Sequence, residues 1–296
     1  MSVQQLDLEE MYKKIPELKR NEVKILKNWV EKQPHLPNIS EFQVALFLHS
    51  CYYKQEAAKA AIDVYYTVRT LCPDIFQCRT CNDPGIQVVL DHSVIAATPL
   101  PNGDTMIIGR CGEAEYFTFV NQLKVFDALL QLNLRKNGPL SGLHLVVDMK
   151  NVTFTHFMKL SSSVLILKKF FYLLQEGLPV RIKYLHFVNL VSFIDKILSL
   201  GKPFLKNELI KCVKIHQKFD SIYEYIPREA FPIDYGGSAE SFEKLRQNTA
   251  SLIKANEKFL NSEDLQRVDE SKRSGIPKSI NEIFGVEGSF KKLEFD

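Results

Sequence analysis

Apolar and polar positions fall into two regimes along the chain. Up to about residue 78 the spacing is helical. Ile15, Leu18, Ile25, Leu26, Trp29 and Val30 form one stripe, which Pro34 and Pro37 interrupt. Ser40 and Gln43 have the spacing of a capping box ahead of Phe42, Leu46, Phe47 and Leu48. From Gln55 to Leu71 a third segment repeats Ala57, Ala60, Ala61, Val64, Val68 and Leu71, and Pro73 ends it. This pattern predicts a compact helical bundle.

Near Gly85 the pattern changes. Ile86 to Leu90 is a β-branched run that reads as a strand, and the turn signal at Pro101–Asp104 precedes a second apolar run, Thr105 to Ile108. Helical spacing returns through Phe119, Leu123, Phe126, Leu130 and Leu134, and Asn137 with Gly138 closes that helix. Leu143 to Val147 is wholly apolar apart from His144 and ends at Asp148, as a central strand covered on both faces would. One long helix fits Leu160 to Gln175, capped by Gly177, and Val180 to Val188 forms the next strand. Val213 to Ile215 fits either a last short strand or a helix face. Strands alternating with helices at this spacing predict an α/β domain with a mostly parallel sheet.

The stretch from Leu190 to Leu200 stands apart, because only Asp195 and Lys196 are charged among its 11 residues. A helix apolar around most of its circumference must be covered by protein, by lipid, or by each in turn. It is too short to cross a bilayer, which needs about 20 residues. Gly201 and Pro203 end it with a joint and a helix breaker. A helix from Phe242 through Leu245, Leu252 and Phe259 is expected to pack on the main domain, and Glu263 to Gly275 reads as a loosely held polar tail. Three divisions are expected: residues 1–80, 81–240 and 241–296.

Composition narrows the function. With 296 residues, 45% of them apolar, and a net charge of +3, the chain has no global attraction to nucleic acid, so any anionic partner must meet a local basic patch. No apolar run is long enough for a transmembrane helix. Asp7, Glu9, Glu10, Lys13 and Lys14 stand where a secretory leader would be apolar, so a cytoplasmic, monomeric protein is expected. The six cysteines read as reduced thiols.

Catalytic motifs are missing. No phosphate-binding glycine loop, GxSxG elbow or HExxH pair occurs, and no cofactor or metal is expected. Cys72, Cys78 and Cys81 with a distant His92 could be zinc ligands, but they lack two tight ligand pairs, and unrelated thiols are the preferred reading. His92, His144, His156, His186 and His216 lie singly along β-rich or apolar stretches, as polar residues lining a core or pocket.

Six segments in order, Arg69–Ile75, Asn102–Arg110, Leu145–Thr155, Pro179–Asn189, Lys202–Leu205 and Phe231–Gly237, resemble the CRAL-TRIO lipid-binding family, which includes tocopherol transfer and retinaldehyde-binding proteins. Residues 270–275 are similar to its arthropod members in particular. The resemblance implies a helical N-terminal domain, then an α/β domain whose sheet floors an apolar pocket under a mobile lid at about Leu190–Lys202. It implies pocket residues Leu143, Val147, Leu160, Phe170, Leu173, Leu174, Leu178, Val180 and Tyr184, with Phe119, Leu123 and Phe126 as further wall. The lid would contribute Phe193, Ile194, Ile197 and Leu198. Tyr184, Ser163 and His156 are candidate polar groups for the ligand.

The resemblance also implies phosphoinositide binding through Arg181 and Lys183. The family's later basic positions fall here on Glu208 and Cys212, with Lys206, Lys211 and Lys214 close by. The implied function is a non-enzymatic carrier that moves a tocopherol, retinoid, carotenoid or related isoprenoid to or from membranes, on which it is transiently peripheral. The alternative is a phosphoinositide-responsive lipid sensor or scaffold without net transport.

Overall fold

The computed structural model describes residues 2–285. Helices α1 (Leu8–Lys14), α2 (Arg20–Glu31), α3 (Glu41–Ser50), α4 (Gln55–Leu71) and α5 (Pro73–Phe76) build the N-terminal bundle. Ser40 caps α3 in a reciprocal box with Gln43, as its spacing predicts. Two arginines knit this bundle to the rest of the chain. Arg69 and Arg79, both buried, converge on Asp127, and Arg79 also holds Asp264. A buried carboxylate shared by two guanidiniums resists separation, because removing one partner strands a desolvated charge at about 3–5 kcal/mol.

Next come α6 (Pro84–His92), β1 (Val94–Pro99), β2 (Thr105–Arg110), α7 (Phe119–Asn137) and β3 (Leu143–Asp148). They are followed by α8 (Phe154–Ser161), α9 (Val164–Glu176), β4 (Ile182–Val188), α10 (Ile194–Gly201), α11 (Asn207–Cys212) and β5 (Val213–Ile215). The five strands lie in the order β1-β2-β3-β4-β5, with β1 antiparallel to β2 and all later pairs parallel. Helices α7 and α9 cover one face of this α/β sheet. The other face packs under 3₁₀ turns at Phe219–Glu224, Arg228–Ala230 and Ile233–Tyr235, together with the start of α12 (Phe242–Ala255). The described residues end with α13 (Glu257–Glu263) and α14 (Ile280–Phe284).

Three expectations are corrected. Ile86–Leu90 lies inside α6 rather than in a strand: Asp83 accepts from the Gly85 N–H at 2.8 Å, Pro84 opens the helix, and Ile86, Val89 and Leu90 are buried at helical spacing. The single helix over Leu160–Gln175 is instead broken between α8 and α9. Ser161, Ser162 and Ser163 turn their hydroxyls back onto the Met158 and Lys159 carbonyls, competing with the helical ladder. The expected loose tail is a strap. Val268 N–H donates to Thr70 Oγ1 at 2.9 Å, Asp269 N–H to the His35 carbonyl at 2.8 Å, and Arg273 to Asp63 and Thr67 at 2.6 and 2.8 Å. Polar composition hid it because its bonds are made to polar groups on α4 and to the His35 carbonyl.

Candidate functional site

Between the sheet and its covering helices lies a cavity of about 280 Å³. Its floor follows the two-residue period of the strands: Ile107 and Gly109 from β2, Leu145 and Val147 from β3, Leu185 and Phe187 from β4. Register places Leu145 beside Leu185 and Val147 beside Phe187. The walls are Phe119, Leu123 and Phe126 of α7, Leu160 of α8, and Leu167, Phe170, Phe171 and Leu174 of α9. Among the described residues no group of three or more His, Cys, Asp or Glu side chains could hold a metal ion, and Cys72, Cys78, Cys81 and His92 do not gather.

Helix α10 closes the cavity with Ile197, Leu198 and Gly201, and Leu205 follows. It starts one turn later than the apolar stretch suggests, at Ile194. Both ends are tied. Before it, Asn189 adopts φ 51° and donates from Nδ2 to Asp148 Oδ1 at 2.8 Å and to Tyr235 Oη at 2.9 Å. After it, Gln175 on α9 donates to the Phe204 carbonyl at 3.0 Å and accepts from the Lys206 N–H at 2.6 Å. The span between is held mainly by side-chain packing. Gly201 sits so close to α9 that a β-carbon there would be 3.1 Å from the Phe171 ring.

Of the residues named from sequence, the structure brings Phe119, Leu123, Phe126, Val147, Leu160, Phe170, Leu174, Ile197 and Leu198 to the cavity. Leu143, Leu173, Leu178 and Val180 do not line it; they are buried in the main core. Phe193 packs edge-on against Phe154 with ring centroids 5.8 Å apart and beside Phe157, and neither it nor Ile194 lines the cavity.

Tyr184 is on the opposite face, packed against Tyr225, His144 and His186. Strand β4 turns Leu185 and Phe187 to the cavity, so a choice of Tyr184 takes the wrong face, while Val180 precedes the strand and joins the main core. The missed floor residues Leu185 and Phe187 carried a signal, since β4's apolar odd face is continuous with that of β3. Of the candidate polar groups, His156 lines the cavity and Ser163 does not. Sequence alone gave no signal for Cys111 and Gln122.

The basic residues have separate settings. Arg181 donates to the His49 carbonyl at 3.0 Å and lies 4.2 Å over the Tyr52 ring. Lys183, Lys206 and Lys211 are exposed, Lys206 pairing with Glu176. Lys214 stands over the Tyr184 and Tyr225 rings. Burial, with the nearby Arg181 charge, lowers His49 to about 4, keeping that imidazole neutral beside the arginine.

Comparison with known proteins fits this geometry. The model of the Pinta-like UBA domain matches residues 15–86, and that of the CRAL/TRIO domain matches residues 101–237. The alpha-tocopherol transfer protein-like protein of Mus musculus is 26% identical over 85% of this chain and 74% of its own length. Clavesin-1 of Rattus norvegicus is 27% identical over 67% of this chain and 57% of its own. The chain thus carries a Pinta-like UBA domain followed, over residues 101–237, by a CRAL/TRIO domain on a mostly parallel sheet.

Proposed function

We propose that this chain is a carrier, which binds one small hydrophobic molecule in the cavity and exchanges it with membranes when α10 swings aside. One observation carries the reading: an apolar cavity is closed by a short helix tethered at both ends, by Asn189 and by Gln175. A lipid entering such a space gains about 0.8 kcal/mol for each methylene removed from water. Opening withdraws Ile197 and Leu198 from the cavity, which is costly in water and nearly free in a membrane interface, so the bilayer favours the open state. The relatives named for tocopherol transfer support a tocopherol, retinoid, carotenoid or similar isoprenoid as the occupant. No covalent step is needed.

In this reading the divisions at about residues 80 and 240 separate bundle, carrier domain and C-terminal strap, and the protein works as a monomer. Lys183, Lys206, Lys211 and Lys214 would attract an anionic leaflet, at roughly 1 kcal/mol per basic residue near the surface. The test is transfer of a fluorescent lipid between vesicles, with organic extracts of the purified protein identified by mass spectrometry. Phe193→Asp with Ile197→Asp is expected to slow transfer more than it weakens equilibrium binding. Saturable binding without catalysed exchange would favour the sensor alternative instead.

A further inference from the structure

The polar groups of the cavity are gathered at one pole. Ser93 Oγ receives the Gly112 N–H at 3.2 Å and Gln122 Nε2 at 2.9 Å. The Gly112 carbonyl in turn meets His156 Nε2 at 3.1 Å. Gln122, His156 and Cys111 all line the cavity, so this cluster forms one end of its wall.

Among the described residues no charge is available there. Arg110 lines the cavity, but its guanidinium turns away to Asp148 and Tyr235 and lies 3.7 Å over the Phe242 ring. Lys159, the neighbouring cation on α8, donates to the Ala114, Glu115 and Phe117 carbonyls at 2.6, 3.1 and 3.2 Å. His156 has its second ring nitrogen engaged with the Thr153 N–H at 3.1 Å. Burial pushes the Cys111 thiol up to about 12, so it stays protonated. What remains is the Gln122 amide. One of its edges is held by Ser93, and its other edge has no partner among the described residues.

We infer that Gln122 is the specificity-determining residue of the cavity, and that it selects a lipid whose head is a single uncharged hydroxyl over one bearing a carboxylate or a phosphate. A hydroxyl can satisfy either end of an amide, so the match does not depend on which way Gln122 is turned. A carboxylate would lose its hydration and find neither a cation nor a free donor array, a penalty far larger than one hydrogen bond. This deepens the carrier reading and rests on it.

The experiment compares dodecan-1-ol with dodecanoate at pH 8, each displacing the uncharged fluorophore N-phenyl-1-naphthylamine from the full chain. The alcohol is expected to bind at least about tenfold more tightly, since only the acid brings a charge to be desolvated. Gln122→Leu, with folding checked by circular dichroism, should weaken the alcohol several-fold without improving the acid. Equal displacement by alcohol and acid overturns the inference, as does an alcohol affinity that Gln122→Leu leaves in place. A fluorophore that binds nowhere on the protein, with neither lipid bound by calorimetry, would instead remove the carrier reading and the inference with it.

Discussion

His186 Nδ1, within β4, and His216 Nε2, just past β5, face each other at 2.9 Å, and both rings are buried. The pair belongs to a longer row. His144 Nδ1 lies 3.2 Å from His186 Nε2, Asp104 Oδ2 lies 3.3 Å from His144 Nε2, and Ser221 Oγ lies 2.7 Å from His216 Nδ1. If Asp104 accepts from His144, each imidazole then donates from Nε2 and accepts at Nδ1, and Ser221 closes the row with its hydroxyl proton. Three neutral rings satisfy every bond. A proton added at His144 reverses the row without losing a bond, since Ser221 can then donate to the Lys218 carbonyl at 2.9 Å. A second proton would set two N–H groups against each other and break a bond of the row.

The row predicts acid sensitivity. His186 falls from its ordinary 6.5 to about 3, first through burial and then through the neighbouring His144, His216 and Lys214. Burial also lowers His144 and His216, against the opposing pull of Asp104 and Glu224 respectively. A histidine with a depressed folded value contributes its full stability above pH 6.5, and that stability drains away as pH falls toward 3. At pH 5 the loss from His186 alone is about 2 kcal/mol. Urea unfolding at pH 7.5 and pH 5.0 measures it. His186→Gln should be less stable than the parent at pH 7.5 yet lose less on acidification. Equal losses in parent and variant would refute the assignment.

The helical spacing of Gln55–Leu71 and Phe119–Leu134, and the apolar run ending at Asp148, were legible because each pattern follows its own periodicity. Ile86–Leu90 misled because β-branched residues also pack well inside a short buried helix when a cap and a proline start it. The histidine row was illegible for a different reason. His144, His186 and His216 are far apart in sequence, and only parallel pairing of β3, β4 and β5 aligns them. The cavity floor was half legible: its strands could be placed, but the bulge between Leu143 and His144 shifts the register on which a residue-by-residue choice depends.

Arg181 and Lys183, adjacent on one face of the strand pattern, are predicted to part company on mutation. Arg181 is engaged, bonded to the His49 carbonyl and stacked on Tyr52, whose φ of 52° needs support from its surroundings. Arg181→Glu removes a charge-assisted bond and a cation–π contact, for an expected loss of about 2 kcal/mol. Lys183 is exposed, so Lys183→Glu should change stability by less than about 0.5 kcal/mol. Its effect belongs to vesicle binding, which should weaken on anionic vesicles and not on neutral ones. Urea unfolding and vesicle co-sedimentation separate the two roles. Equal destabilisation by both substitutions would refute this division.

Gly201 sets how tightly the lid closes. It is buried at the end of α10, and a β-carbon in its place would press on the Phe171 ring at 3.1 Å. Phe171 is itself a wall residue packed against Phe170, so it has little room to yield. Gly201→Val therefore forces the end of α10 outward, while Asn189 and Gln175 still hold the flanking chain. The closed state loses packing, whereas the open state keeps its contacts and gains from a stiffer helix. With a closed-state cost of about 1.4 kcal/mol, the ratio of open to closed molecules rises tenfold. Release of a bound fluorescent lipid into vesicles should quicken accordingly, and equilibrium retention in water should weaken. Gly201→Ala, with only one added carbon, should fall between parent and valine. If release rates do not rise in that order, contact between Gly201 and Phe171 does not govern the lid.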